Sequence, residues 1–134
     1  MVPPGGALWS STLAPLTPGT ETAYYEAPVS LPQGATITKL VVYYYDGSAD
    51  DLTSRLWIVP LYQPYPQVLA SLKSSSDGGY GLEEDTSINY PVIDQQSYSY
   101  AIEVVLPPDS ALRLTGFRID YGYASKLPPV MRNR

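Results

Sequence analysis

Apolar and polar positions alternate with a period of two through much of the chain, most clearly between residues 35 and 61, ATITKLVVYYYDGSADDLTSRLWIVPL. Successive side chains of a strand point to opposite faces. A strand over residues 37–45 therefore sets Leu40, Val42 and Tyr44 on one face, with Lys39, Val41, Tyr43 and Tyr45 on the other. A second strand over residues 52–59 sets Leu52, Leu56 and Ile58 against Thr53, Arg55, Trp57 and Val59. The β-branched and aromatic residues suit a pleated, half-buried surface. The intervening DGSADD has turn chemistry, so the two strands are expected to pair as a hairpin.

Alternation returns elsewhere. Residues 98–106 set Tyr98, Tyr100, Ile102, Val104 and Leu106 against Ser99, Ala101, Glu103 and Val105, one face buried and one in water. In the last strand Leu112 and Leu114 share a face, and Phe117, Ile119, Tyr121 and Tyr123 take the opposite parity. The slip predicts a β-bulge at Gly116. Weaker strands are expected over residues 21–31, with Pro28 placing that one at a sheet edge. Another spans residues 67–73, where Val68, Ala70 and Leu72 align, and a polar edge strand spans residues 82–88. The prolines of LYQPYP, residues 61–66, mark an extended connection of the kind that links sheets in a Greek key. No amphipathic helical run occurs. Short strands between turns predict an all-β chain, an antiparallel β-sandwich of jelly-roll type, with Leu40, Val42, Leu56, Ile58, Ile102, Val104 and Leu114 in its core.

Residues 1–20, MVPPGGALWSSTLAPLTPGT, break the pattern. They carry no charge, four prolines and three glycines, yet include Leu8, Trp9, Leu13 and Leu16. Uncharged apolar side chains have little reason to stay in water. An extended N-terminal arm that lies against a partner is expected, followed by the sandwich over residues 21–124 and a short, mildly basic tail over residues 125–134.

Composition narrows the function. The 134 residues fit one domain. Charged residues are only 16% and the net charge is -5, which disfavours nucleic acid and a basic membrane-surface helix as partners. The opening MVPPGGALWS lacks the pattern of a signal peptide. There are 13 Tyr, 14 Pro, no Cys and no His. Without histidine there is no His-based triad and no His metal site. Glu83, Glu84, Asp85 and Glu103 are the candidates for carboxylate chemistry, but neighbours in a strand such as Glu83 and Glu84 face opposite ways. Asp46, Asp50 and Asp51 could offer oxygens to calcium, although their spacing is not that of an EF-hand. No cofactor and no catalytic residue are expected. Tyr43, Tyr45 and Trp57 are candidate partner-binding residues. On one face they could form an aromatic platform for sugar rings, or a dry contact with another subunit.

The runs LPQGATITKLVVYYYDGSADDLTSRLWIVPL and SYSYAIEVVLPPDSALRLTGFRIDYGY resemble small jelly-roll domains of bacterial surface proteins and of phage structural proteins. The uncharged, Pro-rich arm resembles those of capsid decoration (cement) proteins. That resemblance implies a homotrimer on the surface of a virion, bound to a major capsid protein or another particle shell. The alternative is a secreted or cell-surface carbohydrate-binding module.

Overall fold

The computed structural model describes residues 21–63, 65–74, 78–108 and 111–123, together with the backbone of residues 5–16. Eight strands follow in order: β1 Gly5–Leu16, β2 Ala23–Val29, β3 Ala35–Asp46, β4 Thr53–Pro60, β5 Gln67–Lys73, β6 Gly79–Asp85, β7 Tyr98–Leu106 and β8 Leu112–Tyr123. They form two four-stranded sheets: a front sheet in the order β1-β8-β3-β6 and a back sheet in the order β2-β7-β4-β5. The antiparallel pairs β1–β8, β2–β7, β3–β6 and β4–β5 nest one inside the next, as in a long hairpin rolled over on itself. That winding is the jelly roll, and the β-sandwich expected from the sequence is the fold observed.

The core lies between the sheets. Leu40, Val42 and Tyr44 of β3, Leu56 and Ile58 of β4, Ile102 and Val104 of β7, and Leu114 of β8 are all buried there. Loops seal its ends with Leu31, Leu52 and Ile93. The slip in β8 is present: Tyr43 faces Gly116 but Tyr44 faces Leu114, so Thr115 is the extra residue. A second step at Thr38 lets both Ile37 and Leu40 point inward.

Three expectations are corrected. β3 and β4 do not form a hairpin, because they belong to opposite sheets and DGSADD crosses from one to the other. Alternation reports which face is buried, and a strand from either sheet buries one face. Residues 61–66, in turn, do not cross between sheets; they join β4 to its neighbour β5. In β5 the register steps between Leu56 and Trp57, opposite Ala70 and Val68, so the bulged Leu69 is buried beside Ala70 and Val68 is not.

Residues 5–11 of β1 run along the outer edge of β8, with Leu8 opposite Ile119 and Trp9 opposite Arg118, and Leu16 stands opposite Leu114 after an irregularity. Gly5–Leu16 is thus an edge strand of this chain's own front sheet. The side chains of Leu8, Trp9, Leu13 and Leu16, and all of residues 124–134, lie outside the described residues.

Candidate functional site

The outer face of the front sheet is built from three strands in register. β3 contributes Val41, Tyr43 and Tyr45; opposite them β6 contributes Glu84, Leu82 and Tyr80. On the other side β8 sets Arg118, Gly116 and Arg113 against the same three residues. Val41 is fully buried although it lies outside the sandwich core. It sits between Arg118 and Glu84, and long charged side chains cover apolar surface with their stems. Glu84 is tied to Lys39 at 3.5 Å. The Arg118 guanidinium pairs with Asp120 at 2.8 Å and donates to the Tyr43 hydroxyl at 3.1 Å.

Further along the face the rings of Tyr45 and Tyr80 meet edge to face, 4.9 Å apart and inclined by 70°. The Arg113 guanidinium lies 5.0 Å from the Tyr45 ring centre, within cation–π range. Tyr80 is 74% exposed and Leu82 47% exposed. The result is a tyrosine and arginine surface with an apolar side chain open to water at its edge.

Of the expected binding residues, Tyr43 and Tyr45 lie on this face. Trp57 does not, because β4 belongs to the back sheet. There its indole N–H donates to Glu103 at 3.3 Å, and Glu103 also pairs with Arg55 at 3.5 Å. A single aromatic platform of Tyr43, Tyr45 and Trp57 is therefore not formed. The backbone of Trp9 stands opposite Arg118, the residue that bonds to Tyr43, so the arm and the tyrosines meet on one sheet. Sequence reasoning missed Tyr80, Leu82, Arg113 and Arg118. Tyr80, Leu82 and Glu84 do alternate, but Tyr80 follows two glycines and reads as loop. Arg113 and Arg118 differ in parity and share a face only because of the bulge between them.

The acidic residues are occupied structurally. Glu83 accepts from the Tyr44 hydroxyl at 3.2 Å, while Glu84 faces the other side. Asp46 is buried and bonded to Ser74 and the Ser48 amide. No cluster of three or more potential metal ligands occurs among the described residues.

No protein family model matches the chain, and no curated protein matches it. Two solved structures of the Tobacco streak virus coat protein are similar to it. One, in a C2 crystal form, is 15% identical, with 92% of this chain and 90% of that chain covered and a TM-score of 0.43. The other, of the coat protein dimer, is 16% identical, with 96% and 94% covered and a TM-score of 0.41. A similarity of that degree assigns no role, since one fold hosts many functions.

Proposed function

We propose that the chain is a non-enzymatic structural subunit of a particle, a viral capsid decoration (cement) protein that self-associates and binds the shell. The observation that carries this reading is the outer face of the front sheet. Tyr and Arg dominate the energetics of protein contacts because they bury large area while keeping a polar tip satisfied. Here Tyr43, Tyr45, Tyr80, Arg113 and Arg118 converge beside the exposed Leu82. β1 takes the edge of the same sheet, and the segment 1–20 that contains it carries no charge. A trimer on the virion surface, with Leu8, Trp9, Leu13 and Leu16 contributing to the contact, completes the proposal.

The alternative, a carbohydrate-binding module, draws less support from this face. Sugar rings stack on flat aromatic surfaces, whereas Tyr45 and Tyr80 meet at 70°. The test is density-gradient fractionation of native material. The chain should sediment with particles and a major shell protein, and added Tyr80→Glu variant should fail to rebind particles stripped of it. Recovery of the chain only as free soluble protein would overturn the proposal.

A further inference from the structure

At the end of the sandwich away from Tyr80, a cleft of about 620 Å³ opens between the sheets. One wall is the inner face of the back sheet, continued beyond the core. Ile58 stands opposite Gln67 and Pro60 opposite Tyr98. Residues opposite one another share a face, and Ile58 belongs to the core. Tyr90, Pro91 and Val92 form the other wall. That wall is firmly held: Asn89 donates its backbone N–H to Leu69 at 2.9 Å, Ile37 donates to Pro91 at 2.8 Å, and Val92 bridges to Thr36. Tyr62 and Gln63 add exposed side chains between β4 and β5. Tyr90 has a positive φ of 47°, which a bulky side chain rarely adopts. Backbone strain of this kind clusters where a side chain is held for a ligand.

We propose that this cleft is a binding site for a neutral sugar, a pyranose unit of an uncharged glycan. The chemistry of the lining selects the class. Among the described residues it carries no charge, so a phosphate, carboxylate or ammonium group would be desolvated there without an ionic partner. A wholly apolar ligand would strip water from the Gln63 and Gln67 amides and return no hydrogen bond. A pyranose meets both conditions, with C–H faces that pack on aromatic rings and neutral hydroxyls that donate and accept. Tyr62, Tyr90 and Tyr98 supply the rings. None of the three meets another aromatic ring among the described residues, unlike Tyr45 with Tyr80. Each glutamine amide offers an acceptor oxygen and two donor hydrogens, a match for neighbouring hydroxyls. No hydrogen bond among the described residues engages either amide. The volume lies within the range of about 300–1,000 Å³ typical of ligand pockets. The site is independent of the assembly reading, whose face lies elsewhere, so either can fail alone.

The test is an NMR titration of the ¹⁵N-enriched full chain with maltotriose, cellotriose and mannotriose at millimolar concentration. Trigalacturonate and octaproline serve as acidic and peptide comparators. The backbone signals of Gln63, Tyr90 and Ser97 and the side-chain signals of Gln63 and Gln67 should shift with a neutral trisaccharide and with neither comparator. Tyr62→Ala and Gln67→Ala should each weaken that binding about tenfold. Tyr62 is 85% exposed and Gln67 is also exposed, so the unfolding midpoint should not move. Tyr24→Ala removes a tyrosine of similar exposure, 71%, from β2 and should bind as the native chain does. Shifts with none of the neutral sugars, or affinity unaltered by Tyr62→Ala and Gln67→Ala, would overturn the proposal. So would an equal loss in Tyr24→Ala, or tighter binding of trigalacturonate or octaproline.

Discussion

Ser74 donates its hydroxyl to Asp46 across 2.5 Å, joining the end of β3 in the front sheet to the chain just after β5 in the back sheet. Asp46 is fully buried, and its second oxygen accepts from the Ser48 amide at 2.9 Å. Ser74 in turn accepts from the Leu52 amide at 3.0 Å. The residues that suggested a calcium loop thus include one that fastens the two sheets together.

Asp46→Ala should therefore destabilise the fold without any ion being involved. Losing a buried hydrogen-bond acceptor costs about 1–3 kcal/mol, and the Ser74 hydroxyl and the Ser48 amide both donate to Asp46. Thermal unfolding should fall by the same amount with and without a chelator. A loss seen only without chelator, and gone once the ion is removed from both proteins, would restore the metal reading.

Leu56 and Ile102 face each other across the β4–β7 ladder and are both buried. Replacing either with Ala should cost about 2–5 kcal/mol in denaturant unfolding. The double variant should cost a different amount from the sum, because contacting residues couple. Strict additivity would mean that the two side chains do not share one packed core.

Asp94 should titrate below the ordinary carboxylate range. The Gln33 side chain donates to it at 3.2 Å and is the largest cause, with the Gln96 amide next at 3.1 Å. A depressed folded value means that the stabilisation is present above the unfolded value and is lost as pH falls through the folded one. Gln33→Ala should raise the Asp94 titration midpoint measured by NMR and move that loss to higher pH. An unchanged midpoint would rule out Gln33 as the main cause.

How far the sequence carries can be traced through particular residues. The inward sets Leu40–Val42–Tyr44 and Ile102–Val104–Leu106 were legible because burial on one face imposes a period of two. The bulge beside Gly116 was legible because it breaks that period. The partner of each strand was not, since alternation is the same whichever sheet the strand joins; this is why β3 and β4 read as a hairpin. The candidate face shows the same division. Tyr43 and Tyr45 stood out as outward aromatics, but their neighbours Tyr80, Arg113 and Arg118 are distant in the chain and are brought beside them only by the ladders of β6 and β8.

Trp57 offers a contrast between the two sheets. Its indole bonds to Glu103 on the back sheet, away from the proposed contact. Trp57→Ala should lower stability modestly and leave the assembly state intact. If this variant dissociates an oligomer, the contact lies on the back sheet.

The most direct measurement is sedimentation of the full chain at micromolar concentration beside its Tyr80→Glu variant. Tyr80 is 74% exposed, so the substitution adds a charge to the proposed contact face without disturbing the core. The account predicts a closed oligomer, a trimer, for the native chain and a folded monomer for the variant. A native chain that sediments as a monomer, or a variant that sediments as the same oligomer, would contradict it.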